Sequence, residues 1–251
     1  FPTRRSSDLL RRNKMTVKSK VIKFQKILGV IADGYFGASS LDALKISNKK
    51  FVLNPNFIKS LPIDKTKYKY ENIELMMKEF ELNSEAKNPF YIAYMLATAY
   101  HETAHTFIPL EEYGKGKTRK YGKSFKLKND NVCYMNGENN DLYSLTKFPY
   151  FYYGRGFVQL TWFDNYLEFA KLLKVDLLLN PQLACNVDIA TEIMIYGMLK
   201  GTFTGKKLSY YFKYGLQDFE WVNARRIING TDKAELIANY AKTFFDYLEL
   251  K

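Results

Sequence analysis

The feature that most constrains the fold is a run of 13 residues without a charged side chain, residues 88–100. This run is shorter than the roughly 20 apolar residues that a membrane-spanning helix needs. Near its start it contains Pro89, which is compatible with the first turn of a helix, and it leads into a polar segment that begins at His101. We therefore expect a helix of a soluble globular protein here, without stable membrane insertion.

The composition predicts a folded chain with an anionic partner. Of its 251 residues, 47% are hydrophobic and 25% are charged, which is enough apolar material for a substantial core. The formal net charge of +12 favours nucleic acid, an anionic cell wall or a membrane surface as a partner. With two cysteines and no Cys-x-x-Cys pair, the chain has neither a disulfide framework nor that type of zinc site.

The chain divides into four segments by composition and hydrophobic pattern. Residues 1–14 differ from the rest in their many Arg and Ser residues, and we interpret them as a non-native or disordered tail. Residues 15–50 are predicted to form a small helical unit, in which Gly29 ends the first helix and Ser39 or Ser40 caps the second. Residues 51–69 contain two prolines and are predicted to be a linker, which leaves 70–251 as the main domain.

The main domain is predicted to be mainly α with a small β element. Helical periodicity is present over 166–173, 189–199 and 234–248. Residues 114–128 are rich in Gly and Lys and are expected to form an exposed loop. Residues 150–162 are aromatic and β-prone, with glycines inside, and predict a short strand or hairpin.

Both histidines of the chain belong to one pentapeptide, His101-Glu102-Thr103-Ala104-His105. The H-E-x-x-H spacing places two imidazoles on one helical face, where they bind zinc with the Glu as general base. Taken alone, the pentapeptide predicts a zinc metallopeptidase or amidase.

The same pentapeptide supports a second hypothesis, in which Glu102 is one of two catalytic carboxyl groups. Hydrolysis of a glycosidic bond needs an acid at the leaving oxygen and a second carboxylate on the other side of the sugar. A carboxyl group at the end of an apolar helix is partly desolvated, which favours the protonated form that a general acid needs. Glu111 and Glu112 follow nine and ten residues later, after Pro109, in a turn that can face back across a cleft.

Three stretches decide between these hypotheses: AYMLATAYHETAHTFIPLEEYG, YGRGFVQLTWFDNY and ARRIINGTDKAELIANYA. In this order they resemble the lysozyme-like hydrolases related to glycoside hydrolase family 19, a group that includes chitinases and many phage endolysins. The resemblance covers about residues 70–245, and its most specific part is G-R-G-[FP]-[VI]-Q-[LI]-[ST]-x-x-x-N-Y, matched from Gly154 to Tyr166. It implies an α+β lysozyme-like fold with a helical catalytic domain and a small β-hairpin.

The resemblance also implies roles for individual residues. Glu102 would be the general acid and Glu111 the general base, with Glu112 as the competing second carboxylate. Thr161 would help to hold the attacking water, and the anomeric centre would be inverted. No cofactor and no metal are implied. The positions expected to contact the substrate are Gln159, Asn165, Tyr166, Asn229 and Arg155, the last of which is equally well suited to a structural ion pair.

The aromatic side chains in the same region have two interpretations. Trp162 and the run from Tyr150 to Tyr153 have the chemistry to stack on sugar rings, although aromatic runs more often belong to a core. In an extended strand, the side chains of Gln159 and Thr161 would point to the same face.

A further stretch, FQKILGVIADGYFGASSLDAL, resembles the peptidoglycan-binding repeat of cell-wall hydrolases. Together with the basic charge, it favours the glycan strands of peptidoglycan as the substrate over chitin. The alternatives are a chitinase, a zinc metallopeptidase or amidase, and a wall-binding protein without activity. We expect a monomeric endolysin that does not bind nucleic acid. We also expect it to lack a signal peptide, to be made in a bacterial host cytoplasm, and to act after release at the cell wall or periplasm.

Overall fold

The computed structural model describes residues 15–62, 67–116, 123–128, 131–137, 152–212 and 218–251. The predicted tail, 1–14, lies outside the described residues. The helices of the described residues are α1 (Val17–Leu28), α2 (Ala38–Ile46), α3 (Tyr70–Leu82), α4 (Pro89–Glu102), α5 (Phe163–Leu173), α6 (Val187–Lys200), α7 (Leu208–Tyr211), α8 (Asp218–Asn223) and α9 (Ala234–Tyr247). Short 3-10 helices cover Pro55–Lys59, Pro181–Cys185 and Ala224–Ile227.

Short two-stranded antiparallel sheets supply the β structure of these residues. Their order is β1 with β6, β2 with β5 and β3 with β4. The predicted fold class, mainly helical with a small β element, is confirmed. The strands are β1 (Phe51–Leu53), β2 (Leu110–Glu111), β3 (Lys123–Lys128), β4 (Asn131–Gly137), β5 (Arg155–Gly156) and β6 (Leu248–Leu250).

Helix α4 lies at the centre of the core, and every residue from Pro89 to Tyr100 except Tyr91, which is half-buried, is buried. The Asn88 side chain accepts a hydrogen bond from the Phe90 backbone N–H at 2.9 Å, and Pro89 occupies the first turn, so the sequence fixes the beginning of this helix locally. α4 packs along α9, where the rings of Phe90 and Phe245 stack with 4.9 Å between their centroids. This packing fixes the orientation of α4 and therefore the position of Glu102, the last residue of the helix. Across the described ranges, no helix is both long and apolar enough to cross a membrane.

The N-terminal helices share the hydrophobic core of the main domain. The ring of Phe24 in α1 contacts Phe51 of β1, with 5.0 Å between centroids, and Phe245 of α9, with 6.2 Å. As predicted, α1 ends at Gly29, which adopts a left-handed conformation with φ 70°. The beginning of α2 differs from the prediction, because Gly37 is its N-cap and no side chain caps it.

The segment predicted to be a linker, 51–69, contains regular structure as far as residue 59. β1 pairs with β6 in the register Phe51↔Leu250, and the side chain of Phe57 in the following 3-10 helix is fully buried. Prolines suggested a linker, but Pro55 begins a 3-10 helix instead. Residues 63–66 of the segment lie outside the described residues.

The predicted loop 114–128 also differs from the structure at its end. Lys123–Lys128 forms β3, paired with β4. In the sequence KSFKLK, Phe and Leu alternate with Lys, and an alternation of apolar and polar residues is typical of a strand. The prediction of a loop was based on the high charge and did not take this alternation into account. Residues 117–122 lie outside the described residues.

Candidate active site

A cleft of about 570 Å³ lies where the ends of α4, β2 and the third 3-10 helix meet the turn before α5. Its lining combines carboxylate, amide and hydroxyl groups with aromatic and aliphatic side chains. This is the chemistry that a cleft for a polar, ring-containing substrate needs. The lining residues are Glu102, Glu112, Gly154, Val158, Gln159, Leu160, Thr161, Trp162, Asn165, Phe203, Ile228 and Asn229.

Glu102 is the last residue of α4 and forms an ion pair with Arg225. The Arg225 Nη1 atom donates to Glu102 Oε1 at 2.7 Å. The two side chains are only 4% (Arg225) and 16% (Glu102) exposed, so water screens this pair weakly. Arg225 therefore fixes the position of the Glu102 carboxyl group at the end of α4.

Arg225 was not identified from the sequence, although it lies within the matched stretch ARRIINGT. Its Nε atom also donates to the Asp232 carbonyl at 3.1 Å, and its own carbonyl accepts from the Asn229 N–H at 3.0 Å. Arg225 thereby connects the carboxyl group of Glu102 to the loop that places Asn229 at the cleft. The signal available in the sequence was that Arg225 is a basic residue in the same stretch as Asn229, which was already predicted to contact the substrate.

Glu112 is the second carboxylate of the cleft and is held by the backbone of Gly154. The Gly154 N–H donates to Glu112 Oε2 at 3.1 Å, and the Glu112 N–H donates to the Gly154 carbonyl at 2.7 Å. This reciprocal contact continues the pairing of β2 with β5. It fixes Glu112 on a different element from Glu102.

Glu111, the predicted general base, does not line the cleft. In the register of β2 and β5 it lies opposite Arg155, whose Nε is 3.2 Å from Glu111 Oε1. The Tyr153 hydroxyl donates to Glu111 Oε1 at 2.6 Å, and Lys115 Nζ is 2.8 Å from Glu111 Oε2. Burial raises the pKa of Glu111, but the bonds from Lys115 and Tyr153 and the charge of Arg155 outweigh it, so the pKa lies below its ordinary value.

Arg155 and Tyr166, both predicted to contact substrate, belong to the same buried network. The Arg155 guanidinium lies 3.7 Å from the centre of the Tyr153 ring and donates to the Tyr166 hydroxyl at 3.1 Å. Tyr166 is fully buried and donates to the Tyr153 carbonyl at 2.9 Å. Burial, together with the bond to Glu111, raises the pKa of Tyr153 to about 12. These side chains fix β5 behind the cleft and do not line it.

Gln159 and Thr161 line the cleft, but not as members of a strand. Residues 157–159 form a turn, Gln159 has a φ of 52°, and Leu160 forms an isolated bridge with Arg155. The Gln159 Nε2 atom donates to the Leu110 carbonyl at 3.1 Å, which ties the turn to β2. Of the two predicted alternatives, a tight hairpin is present at 155–160, where Arg155 and Leu160 exchange backbone hydrogen bonds, and a continuous strand is not. The two side chains share a cleft because the turn of this hairpin brings them together.

Asn165 and Asn229 complete the polar lining. Asn165 lies in the first turn of α5 and donates from Nδ2 to the Thr161 carbonyl at 2.8 Å. Asn229 is exposed, and its Oδ1 accepts from the Gly230 N–H at 2.9 Å. The structure therefore brings together six of the residues singled out from the sequence: Glu102, Glu112, Gln159, Thr161, Asn165 and Asn229.

The H-E-x-x-H pentapeptide does not form one helical face. α4 ends at Glu102, and Ala104 and His105 have positive φ angles of 50° and 69°. The His105 ring stacks on Tyr100 at 4.4 Å, and its Nε2 lies 3.3 Å from the Tyr240 hydroxyl. Burial lowers the pKa of His105 below its ordinary value. The helical geometry on which the zinc hypothesis depends is absent from these residues.

The other histidine, His101, directly precedes Glu102 in the last turn of α4. Burial lowers its pKa, against the opposing effect of the neighbouring Glu102 charge. Among the residues that the structure describes, no group of three or more His, Cys, Asp or Glu side chains is placed to hold a metal ion.

Comparison with solved structures finds chitinases. Chitinase C from Streptomyces griseus HUT6037 is 20% identical, with 76% of this chain and 74% of that chain covered and a TM-score of 0.49. A bacterial family 19 chitinase is also 20% identical, with 75% of this chain and 93% of that chain covered and a TM-score of 0.42. No family model matches the chain, and no curated protein matches it. The likeness of residues 15–50 to a peptidoglycan-binding repeat has no support from these comparisons.

Proposed function

We propose that this chain is a glycoside hydrolase that cleaves β-1,4 bonds with inversion, using Glu102 as general acid and Glu112 as general base. The observation that supports this most directly is that both carboxylates line one cleft, from different elements and with different partners. Glu112 replaces Glu111 as the second carboxylate, because the Glu111 carboxylate is engaged by Lys115, Tyr153 and Arg155 outside the cleft lining.

In this mechanism Glu102 donates a proton to the leaving glycosidic oxygen while the bond from C1 to that oxygen breaks. Arg225, 2.7 Å away, stabilises the carboxylate that the proton transfer leaves behind. Glu112 accepts a proton from a water that attacks C1 from the opposite face, so the product has the inverted configuration.

The remaining polar groups of the cleft would bind and orient the sugar and the water. The Thr161 hydroxyl both donates and accepts hydrogen bonds, which suits it to position the attacking water near Glu112. The amides of Gln159, Asn165 and Asn229 have donors and acceptors for N-acetyl and hydroxyl groups. No cofactor is needed for this reaction.

We propose peptidoglycan as the substrate, acted on by a monomer at the bacterial cell wall. The support is the resemblance of residues 24–44 to a wall-binding repeat and the net charge of +12, which suits an anionic envelope. Chitin is the alternative, because both polymers contain β-1,4-linked N-acetylglucosamine.

Digestion of purified peptidoglycan and of chitin, each with and without excess EDTA, tests the proposal. We expect new reducing ends that EDTA does not suppress, with the α-anomer as the first product in NMR spectra. The Glu102→Gln variant should bind the polymer but cleave it at least about a hundredfold more slowly.

Each alternative function predicts a different outcome of this digestion. New amino groups that EDTA abolishes would establish a zinc peptidase or amidase and overturn the glycosidase proposal. Binding of the polymer without any cleavage by the natural chain would indicate a wall-binding protein. Faster cleavage of chitin than of peptidoglycan would keep the reaction and change the substrate.

A further inference from the structure

Trp162 differs from the other aromatic side chains around the cleft in its exposure. Tyr152 and Tyr153, from the same aromatic region, are 0% and 2% exposed and belong to the interior, whereas Trp162 is 47% exposed and lines the cleft. An indole so exposed leaves a large apolar surface in contact with solvent. Tyr152 and Tyr153 are therefore core residues, and Tyr150 and Phe151 of the same run lie outside the described residues. Trp162 needs a separate explanation.

The backbone of Trp162 is unfavourable for this residue type. Its φ is 72° and its ψ is 144°, a combination that favours Gly and that other residues rarely adopt. Trp162 is also the N-cap of α5, where Ser, Thr, Asp or Asn would accept a hydrogen bond from the helix and Trp cannot. Strained conformations of this kind concentrate at functional sites.

The positive φ has a definite consequence for the direction of the indole. In an extended chain, residues 160 and 162 would point away from the face that holds Gln159 and Thr161. Here Gln159 and Trp162 both have positive φ. The side chains of Gln159, Thr161 and Trp162 all line the same cleft. The backbone conformation therefore brings the indole to the side of the turn that holds the polar groups.

We propose that Trp162 is a substrate-binding residue whose indole stacks on the apolar face of one pyranose ring of the glycan. This inference rests on the proposed glycosidase function. The C–H groups on one face of a β-linked pyranose contact the π face of the ring, while the equatorial hydroxyl and N-acetyl groups reach the amides at the cleft wall. A stacking contact of this kind binds the ring face and tolerates different equatorial substituents.

The two tryptophans of the chain allow a direct test, because Trp221 is only 1% exposed. The probe is N-acetylchitotetraose, added to the Glu102→Gln variant so that no cleavage occurs. We expect the tetrasaccharide to protect tryptophan fluorescence from quenching by iodide. In the double variant with Trp162→Phe, only Trp221 remains, and the protection should disappear. Cellotetraose, which lacks N-acetyl groups, should protect more weakly but through the same residue.

Affinity and stability measurements separate a binding role from a structural one. Trp162→Asn removes the indole and tolerates a positive φ at least as well as Trp does, so we expect it to keep the melting temperature while weakening tetrasaccharide binding about tenfold. Trp162→Phe should lose less affinity than Trp162→Asn. Tyr210→Ala is the control, since Tyr210 is 57% exposed but does not line the cleft, and it should leave binding unchanged.

Turnover distinguishes failure of this inference from failure of the proposed function. If the natural chain cleaves glycan while Trp162→Asn retains full affinity and iodide quenching is unaffected by ligand, Trp162 is not a stacking residue and the glycosidase proposal stands. If the natural chain neither binds nor cleaves glycan, both proposals are overturned. Raised KM with little change in kcat for Trp162→Asn supports stacking that binds ground state and transition state alike.

Discussion

The guanidinium of Arg225 lies 2.7 Å from the carboxyl group of Glu102, and both side chains are largely buried. The two residues are 123 positions apart in the chain, so their contact exists only in the folded protein. Through its other bonds, Arg225 also ties this carboxyl group to the loop of Asn229. One ion pair thus fixes two sides of the cleft.

Removal of Arg225 should impair both stability and activity. In Arg225→Met the buried Glu102 carboxylate loses its partner, so we expect the free energy of unfolding to fall by about 3 kcal/mol or more. Glycan cleavage should fall as well, because nothing then stabilises the carboxylate formed when the proton is transferred. Urea unfolding and reducing-end assays measure the two effects.

The double variant Arg225→Met/Glu102→Gln is the control for this ion pair. It removes both charges together, so it should recover most of the lost stability but no activity. Equal stability of the natural chain and Arg225→Met would show that the pair contributes nothing to the fold.

The two neighbouring glutamates should respond in opposite ways to amide substitution. Glu112→Gln should reduce cleavage about a hundredfold or more, because it removes the proposed base. Glu111→Gln should keep most of the activity and lose stability, because its carboxylate is held by Tyr153, Lys115 and Arg155. Activity assays on the two variants decide which glutamate is the general base. An inactive Glu111→Gln together with an active Glu112→Gln would identify Glu111 as the base.

The pH dependence of stability provides a second readout for Glu111. Its pKa is lowered in the folded protein, so the stabilisation is complete above the ordinary pKa of a glutamate and is lost as the pH falls through the lowered value. Glu111→Gln should therefore be less stable than the natural chain at pH 7. The difference should disappear in strong acid.

The helix ends that depend on neighbouring residues could be predicted from the sequence. Features that depend on strand register or on tertiary contacts could not. Pro89 begins α4 and Gly29 ends α1 as predicted, because both effects depend on neighbouring residues alone. The choice between Glu111 and Glu112 depends on how β2 pairs with β5, which a doublet of identical residues does not reveal. The end of α4 at Glu102 agrees with the hypothesis that placed this carboxyl group at the end of an apolar helix, whereas the spacing of the two histidines alone predicted one continuous helical face.

The two glycines of the G-R-G motif should have different sensitivities to alanine. Gly156 has a φ of 83°, and a Cβ there would lie 2.6 Å from the Ala184 carbonyl oxygen, so Gly156→Ala should destabilise the fold by more than the about 1 kcal/mol of backbone strain alone. At Gly154 the φ is not positive, and a Cβ would meet the Gln159 Oε1 atom at 2.7 Å. That side chain can move, so Gly154→Ala should displace an amide of the cleft and reduce glycan binding with a smaller loss of stability.

Thermal unfolding and tetrasaccharide binding together check this pair of variants. Gly154→Ala and Gly156→Ala introduce the same methyl group two residues apart, so each serves as the control for the other. A larger loss of melting temperature in Gly154→Ala than in Gly156→Ala would contradict the prediction.

The buried Lys20 should give the protein a rise in stability at alkaline pH. Its ammonium group donates to the Asp246 carbonyl at the end of α9 and lies 5.7 Å from the Phe24 ring centre. Burial lowers the pKa of Lys20 from 10.5 to about 8, against the opposing charges of Asp246 and Glu249. Between pH 8 and 10.5 the unfolded chain therefore binds more protons at this residue than the folded chain, so its contribution to the free energy of unfolding increases with pH.

Lys20→Met removes this titration and should make the free energy of unfolding rise less, or fall more, between pH 7.5 and 10 than it does in the natural chain. Urea unfolding at the two pH values gives the slopes. Lys26→Met is the matched control, because Lys26 is an exposed lysine on the same helix whose charge does not contribute to the shift of Lys20, and it should leave the slope nearly unchanged. Identical slopes for the natural chain and Lys20→Met would mean that the ammonium group of Lys20 is as well solvated in the folded protein as in the unfolded chain, and that α1 does not bury it against α9.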